Sequence, residues 1–486
     1  MRVAVADPCL EVRTNVIRDV IYGCWCGGKR IGGATIPPFV QLTIATLLQQ
    51  DGHEVVFVDA QAEQLSLDEV ACRIAGAALV VVSTSVMTVR GDAAFVLALK
   101  DRLPGLEAAA YGSHPTFLPE DTLNKGIDYA VQHEPEGVVR KLAATLATGD
   151  RAAARRIAGI VARDENGSLI RNPRHPFIED LNQIPPLNID FLPKGVVYFN
   201  PIVRNLPYIA VSTSHGCPAK CSYCTAPFFH GTRTRFMSAA KVVEDIATYL
   251  GRGIGEIYFR DETFTADRQR VLDICRGITE GGLRFSWICN SRVDTLDQEM
   301  VLAMRQAGCH LIKFGTESGN QSVLDASKKG ISLEQTRQAF HWCRKAGIDT
   351  HAHFMVGMPG ETLETLDETL NFALEIDPTT VTFGICTPYP GTPLFREVTR
   401  KDASIGDGSD NAAMESLHVQ GRFNHLFCAV DSETLARTVT RNYRRFYLRP
   451  GYLLKALLRI RTSTMLRNAV IGGLNVLSFS LSKRGG

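Results

Sequence analysis

Ser214-His215-Gly216-Cys217-Pro218-Ala219-Lys220-Cys221-Ser222-Tyr223-Cys224 carries three cysteines at the spacing Cys-x3-Cys-x2-Cys, directly after an apolar, strand-like run from Tyr208 to Thr213. Three thiolates in one short loop can hold three corners of a cubane iron–sulfur cluster. No fourth cysteine lies nearby, so one iron is left open, and an open coordination site marks a cluster that does chemistry rather than electron transfer alone. The alternatives are a zinc site with a distant fourth ligand, or buried thiols. Zinc motifs usually come as two separated Cys-x2-Cys or Cys/His pairs, and no second pair follows here.

The chain of 486 residues is long enough for about three domains, and 45% hydrophobic with 21% charged residues describes an ordinary soluble globular protein. Thirteen cysteines, an odd number in a long chain without a secretory signal, argue against a disulfide framework and for a reducing compartment. Met1-Arg2-Val3-Ala4-Val5-Ala6 reads as a first strand with no targeting segment ahead of it. The formal charge of +2 is unevenly spread: Thr434 to Gly486 holds eleven Lys/Arg and no Asp/Glu, so the upstream chain carries a net −9. The tail is a separate electrostatic object.

Residues 1–150 alternate strands (Val3–Ala6, Glu54–Asp59, Ala78–Ser83, Ala108–Tyr111) with helices (Phe39–Gln50, Leu67–Ala75, Ala93–Arg102, Glu136–Thr148), which implies a parallel, doubly wound sheet. Ligands of such sheets sit beyond the carboxyl ends of the strands. There the sequence offers Ser83-Thr84-Ser85, Gly112-Ser113-His114-Pro115-Thr116 and Glu134-Pro135-Glu136, small and hydroxylated groups that let a broad flat ligand approach the backbone. Asp51-Gly52-His53 begins like a cobalt-ligating Asp-x-His-x-x-Gly motif, but the Gly position is Val56 and the segment precedes the second strand, so His53 reads as a turn residue. Cys24-Trp25-Cys26-Gly27-Gly28 reads as a loop packed on the domain interface, the alternatives being a metal ligand pair or a cap on the ligand of the first domain. Residues 151–205, with Pro173, Pro176, Pro185-Pro186, Pro193 and Pro201, read as a linker or wrapping segment.

From about 206 to 395 six strand–helix steps follow, and reactive residues of such barrels gather where strands end. The first strand ends in the cysteine loop. The others end in Arg260-Asp261-Glu262-Thr263-Phe264, Asn290-Ser291-Arg292, Gly315-Thr316-Glu317-Ser318-Gly319, Gly357-Met358-Pro359-Gly360-Glu361 and Thr387-Pro388-Tyr389-Pro390-Gly391-Thr392. These strings, and the cysteine loop with aromatic Tyr223 before its last Cys, resemble the radical S-adenosylmethionine (SAM) superfamily over nearly the whole domain. The front half, in particular Gly112 to Glu120, resembles the cobalamin-binding domain that precedes many radical SAM domains. The fold this implies is α/β: a Rossmann-like cobalamin-binding domain at 1–150, a partial (β/α)6 barrel at 206–395 and a basic, mostly helical extension at 396–486.

The resemblance implies residue roles as well. Cys217, Cys221 and Cys224 hold a 4Fe-4S cluster; Tyr223, Asp261, Glu262, Arg292, Glu317 and Ser318 surround SAM; Thr84, Ser85, Gly112, Ser113, His114 and Glu134 face cobalamin, without a histidine lower ligand. Candidate substrate-facing residues are His351 and His353, which alternate onto one face of the fifth strand, and Tyr389. The chemistry implied is hydrogen abstraction from an unactivated carbon by a 5′-deoxyadenosyl radical, followed by methyl transfer from methylcobalamin, with a second SAM restoring the methyl group. This is a C-methyltransferase; the alternatives are a radical SAM/cobalamin oxidative cyclase and a non-catalytic cobalamin sensor. The expected partners are a small-molecule, lipid or tetrapyrrole-like substrate and an electron donor such as flavodoxin or ferredoxin. The tail lacks the aromatic-interleaved pattern of an RNA-reading module. Its last apolar run, Ala469–Leu481, is shorter than the about 20 residues of a membrane span. The extension therefore reads as a helical cap on the barrel or a membrane-surface anchor, in a cytoplasmic protein.

Overall fold

The structure is a computed structural model that describes residues 1–9, 35–410, 421, 423–460 and 463–481; the Cys24–Cys26 loop lies outside the described residues. In the first sheet, β1 (Arg2–Asp7), β2 (Glu54–Asp59), β3 (Leu79–Ser83), β4 (Glu107–Tyr111) and β5 (Tyr129–Val131) are parallel, and β6 (Ile160–Arg163) and β7 (Leu169–Arg171) add an antiparallel edge, in the order β2-β1-β3-β4-β5-β6-β7. Successive strand residues point to opposite faces. Val3, Val5, Val81 and Tyr111 therefore pack with Leu48, Val139 and Leu142 on one face. Ala4, Ala6, Val80 and Val82 pack with Val70, Ile74 and Val96 on the other. Helices on both faces make the sheet doubly wound.

The sheet corrects one boundary. The β6–β7 hairpin falls in the segment read as linker, past the expected limit at residue 150. Its strands are short, and the signal was the turn Asp164–Ser168, closed by the Asp164 N–H to the Ser168 carbonyl at 2.9 Å, with Gly167 at φ +81° as tight hairpins require.

The second sheet is all parallel: β8 (Tyr208–Val211), β11 (Glu256–Phe259), β12 (Ser286–Ser291), β13 (Cys309–Glu317), β14 (Asp349–Val356) and β15 (Thr380–Ile385) stand side by side in chain order. With its outer helices this is the open (β/α)6 barrel. Between β8 and β11 a two-stranded antiparallel ladder, β9 (Ser214–His215) and β10 (Arg235–Phe236), brackets the cysteine loop. The expected boundary at 395 cuts through the helix Pro393–Lys401.

The carboxyl edges of the two sheets meet. Tyr389, after β15, places its hydroxyl 3.5 Å from Met87 Sδ, after β3. Val86 packs on Phe395. Gly391 (φ +90°) lies so close to Phe117 that a Cβ there would sit 2.4 Å from its ring, so no larger residue fits.

The C-terminal extension seals the far side. Helix Ser432–Tyr447 lies on the edge strand β15, where the Tyr447 hydroxyl accepts from Val381 N at 2.8 Å and donates to Val381 O at 2.7 Å, and Tyr443 accepts from Phe383 N at 3.3 Å. An open edge would otherwise invite pairing with another strand. Asn424 Nδ2 donates to the carbonyls of Gly357 (2.7 Å) and Cys386 (3.0 Å). Glu361 Oε2 closes the same turn by accepting from the N–H groups of Gly357 and Met358.

Burial lifts the Glu361 carboxyl to about 7 despite those two donors. In the unfolded chain it ionises near 4.5, so between these values the folded state binds more protons and stability falls as pH rises. Above pH 8 the cost is on the order of 3 kcal/mol. Thermal midpoints of wild type and Glu361→Gln measured from pH 5 to 8.5 are expected to diverge in favour of the variant as pH rises; parallel profiles contradict the assignment.

Candidate active site

The cysteine loop is pinned at both ends. Asp261, fully buried at the end of β11, accepts from Thr213 N (2.6 Å) and Thr213 Oγ1 (2.7 Å), which fixes the chain as it leaves β8. Gly216 takes φ +97° because a Cβ would stand 2.3 Å from the Arg233 carbonyl, and Cys217 N donates to Gly231 O at 3.2 Å. At the other end Ser222 donates from N and Oγ to Ser327 O (2.9 and 3.2 Å) and accepts from Leu394 N (2.9 Å). Cys217 and Cys221 are buried, Cys224 half-buried, and all three are free thiols. Burial pushes the thiols of Cys217 and Cys224 up, and the neighbouring Cys221 adds to both shifts. Thiols this close favour a metal that takes the thiolate form. The Tyr223 ring packs behind the loop against Met358, Cys386 and Leu394.

The expected SAM-facing residues divide. Asp261 braces the loop through both carboxylate oxygens, each of which accepts one hydrogen bond from Thr213. Ser318, fully buried, bonds Thr369 Oγ1 at 3.1 Å and holds the turn against the helix Leu363–Ile376. Arg292 clasps Asp294 (2.9 and 2.8 Å) and Lys329 O (3.0 Å). Burial opposes its charge, but Asp294 and the thiols of Cys221 and Cys217 raise its pKa, leaving a fixed cation beside the loop. Glu317 ends β13 at φ +63°, where the register to β14 shifts, and pairs with buried Lys329 at 2.8 Å. A Cβ on Gly315 would lie 2.5 Å from Glu317 Oε1 and 2.8 Å from Lys329 Nζ, so that glycine makes room for the pair. Glu262 is the open group. Its Oε1 accepts from Gly216 N at 3.4 Å, while its buried Oε2 has no hydrogen-bond partner among the described residues.

Inside the barrel the rings of His351 and His353 lie 4.4 Å apart, with their Nδ1 atoms 2.7 Å from the hydroxyls of Thr380 and Thr382. Burial, with Lys313 adding, keeps both imidazoles neutral. Next to them the Tyr258 hydroxyl accepts from Arg260 and Lys313 and donates to Asn290 Oδ1, each at 2.8 Å. Tyr389 lies after β15 at the seam between the two sheets, with its hydroxyl on Met87.

On the first domain Thr84, Ser85, Gly112 and Ser113 sit at the carboxyl ends of β3 and β4. Gly112 (φ +124°) backs onto Thr84 so tightly that a Cβ would lie 2.1 Å from its carbonyl oxygen. Ser85 Oγ and Thr88 bond each other at 3.2 Å. The buried Thr84 Oγ1 has no partner among the described residues. His114 is internal: its Nε2 lies 2.8 Å from Asp121 Oδ2, and burial drives its pKa down. Its buried Nδ1 has no hydrogen-bond partner among the described residues.

The Glu134 carboxylate bonds groups around the cysteine loop. Its Oε1 lies 3.2 Å from His215 Nδ1, 3.1 Å from His230 Nδ1 and in contact with Arg235 Nη2. Its Oε2 accepts from Arg235 Nη1 and Ile178 N, each at 3.0 Å. Burial opposes the charge, yet these donors outweigh it and hold the carboxyl far below the usual range. His215 is in turn pushed up to about 9, burial opposing and Glu134 prevailing. Glu134, His215 and His230 offer a donor set of the right kind for a metal, with ligand atoms within 4.8 Å of one another. The Arg235 guanidinium already occupies both carboxylate oxygens, so the group is a saturated ion-pair hub. His215 stands two residues before Cys217 and was legible from that position; His230 and Arg235 had no spacing to announce them.

Residues 211–373 match the Radical SAM superfamily, and residues 33–143 match the B12 binding domain. A protein of Pyrococcus horikoshii named as an uncharacterized methyltransferase is 30% identical over 434 residues, 88% of this chain and 91% of the relative. The chain belongs to the B12-binding radical SAM family. The anaerobic magnesium-protoporphyrin IX monomethyl ester cyclase of Rubrivivax gelatinosus is 28% identical over 441 residues, 88% of this chain and 76% of the relative. The fold also matches the structure of TsrM from Kitasatospora setae with cobalamin and a [4Fe-4S] cluster bound (TM-score 0.66, 20% identity, 83% of this chain and 75% of that one).

A radical SAM enzyme with a B12-binding domain uses a 4Fe-4S cluster, SAM and cobalamin, and the residues present fit that set. Three free thiols share one rigid loop, and a buried carboxylate oxygen of Glu262 beside that loop lacks a donor. The hydroxyl of Thr84 at the strand ends of the B12 domain lacks a partner.

Removing the Glu134 carboxylate strands Arg235 and two imidazoles in a buried site, a loss of about 3–5 kcal/mol for a broken buried pair. Glu134→Ala is expected to lower the thermal midpoint and the iron retained per chain after anaerobic reconstitution, with Glu134→Gln intermediate. Unchanged midpoint and iron content contradict the hub. Glu262→Gln is expected to preserve iron content and weaken SAM binding about tenfold, the loss of one charge-assisted hydrogen bond, read from the SAM-induced change in the cluster's electron paramagnetic resonance spectrum.

Proposed function

We propose that this radical SAM enzyme methylates an unactivated carbon of a small-molecule substrate. What supports the reading is the meeting of two carboxyl edges: Met87 on Tyr389 and Phe117 on Gly391 join the cobalamin-side loops to the barrel mouth. When bound, the cofactors supply a radical able to take hydrogen from carbon and the methyl group that replaces it.

The residues divide the work. Cys217, Cys221 and Cys224 hold the cluster, and Gly216 and Asp261 fix the angle of the loop. Glu262 Oε2 would accept from the SAM amino group, and Arg292 and the Glu317–Lys329 pair would set the charge around it. Thr84, Ser85, Gly112 and Ser113 line the cobalamin side. Neutral His351 and His353 face the substrate as hydrogen-bonding groups without charge, in an interior whose packing excludes water and stray hydrogen donors. An electron donor of the flavodoxin or ferredoxin kind reduces the cluster. The enzyme works in the cytoplasm, peripherally at the inner membrane face.

Oxidative cyclisation is the second reading, favoured by the similarity to the Rubrivivax gelatinosus cyclase. Reconstituted enzyme given deuterated-methyl SAM and candidate substrates is expected to put the label on a product carbon. A product that has lost hydrogens without gaining label establishes cyclisation instead. Cys221→Ala is expected to abolish product while leaving cobalamin binding, read from its visible absorption, unchanged.

A further inference from the structure

Nine of the thirteen large apolar side chains that stand exposed among the described residues fall between Leu448 and Leu477. Eight of them, all but Leu448, lie on two helices built inside out. In Pro450–Arg459, Leu453, Leu454, Leu457 and Leu458 point to solvent at 48–67% exposure. The opposite side of that helix is polar and turned to the barrel: Tyr452 OH donates to Thr379 O at 3.1 Å, Lys455 pairs with Asp377 at 2.5 Å, and Arg459 Nε lies 3.9 Å from Asp349.

Helix Ser463–Leu481 repeats the inversion. Leu466, Val470, Leu474 and Leu477, at steps of four, four and three, form one outward stripe. On the other side Asn468, 4% exposed, donates to Val203 O at 2.9 Å, and Gly472 sits against Pro201. A helix in a water-soluble protein normally turns its apolar stripe inward; two successive helices that do the reverse mark a surface with a partner.

Charge selects the partner. No acidic residue occurs from Thr434 to Gly486, against eleven Lys/Arg, so a second copy would press two cationic segments together. An anionic lipid surface accepts both features, leucines into the acyl boundary and basic residues to the headgroups. Among the described residues no helix is long and apolar enough to cross a membrane, which leaves the two helices lying in the interface.

We propose that the outward face of helices Pro450–Arg459 and Ser463–Leu481 docks on an anionic phospholipid bilayer. The face lies at the amino-terminal end of the barrel strands, beside Asp349 at the start of β14 and Thr379 before β15. The docked enzyme therefore holds its barrel mouth, at the carboxyl ends, away from the lipid. Docking concentrates the enzyme at the membrane without seating the site in it. This rests on the peripheral placement proposed for the enzyme and is independent of the methyl-transfer chemistry.

The test is co-sedimentation of the cofactor-loaded full chain with sucrose-filled vesicles of phosphatidylcholine alone or mixed with phosphatidylglycerol. Expected is about tenfold more protein pelleted by the anionic vesicles, a decline with added salt, and loss of pelleting in Leu457→Asp/Leu474→Asp with SAM cleavage unchanged. Arg467→Glu is expected to weaken pelleting while preserving the thermal midpoint. Equal pelleting by neutral vesicles, none by anionic ones, or a leucine variant that pellets like wild type overturns the proposal. So does a stable dimer in sedimentation velocity that the leucine substitutions dissociate, which assigns the face to a second copy. Methyl transfer by an enzyme that ignores vesicles leaves the chemical reading standing and removes only the docking surface.

Discussion

One buried carboxylate joins the two halves of this enzyme. Glu134 leaves the last parallel strand of the cobalamin-side sheet and receives His215 and Arg235 from the ladder around the cysteine loop, His230 from beyond the third cysteine, and Ile178 from the wrapping segment. A buried ion pair seldom repays its desolvation unless its remaining hydrogen-bonding capacity is met; here both oxygens are filled. The hub therefore contributes orientation more than stability. It fixes the loop that presents three thiols relative to the sheet edge where a corrin would lie, and hydrogen abstraction and methyl delivery on one carbon demand that alignment.

The barrel mouth is made by similar economies of space. Glycines at 216, 315 and 391 stand where backbone, an ion pair or an aromatic ring comes too close for a side chain. Glu317 is held in the left-handed region at a register shift. A non-glycine residue persists there only when its surroundings over-determine it, and the Lys329 pair does so. Groups that line the mouth are anchored by neighbours, while Glu262 Oε2 and Thr84 Oγ1 have no hydrogen-bond partner among the described residues.

The C-terminal extension solves two separate problems. An open barrel leaves β15 as an edge, and Tyr447 and Tyr443 satisfy its backbone from the helix above it. The following helices then spend their polar sides on the barrel and leave their leucines outside, an arrangement that makes sense only beside another apolar phase.

Much of the fold and part of the site were legible in the chain alone. Alternating apolar strands and amphipathic helices determined two parallel sheets, because side-chain periodicity follows from backbone geometry whatever the context. The cysteine spacing determined the cluster loop for the same local reason. The short β6–β7 hairpin escaped because a few residues among prolines leave little periodicity to read. Tertiary structure alone decided which neighbours the polar residues at the strand ends bond. Asp261, Ser318, His114 and Glu134 share strand-end positions with Glu262 and Thr84, but which way a carboxylate turns depends on donors such as Thr213 and Arg235, brought from distant parts of the sequence. Partner choice at a strand end is a long-range property, and no local pattern carries it.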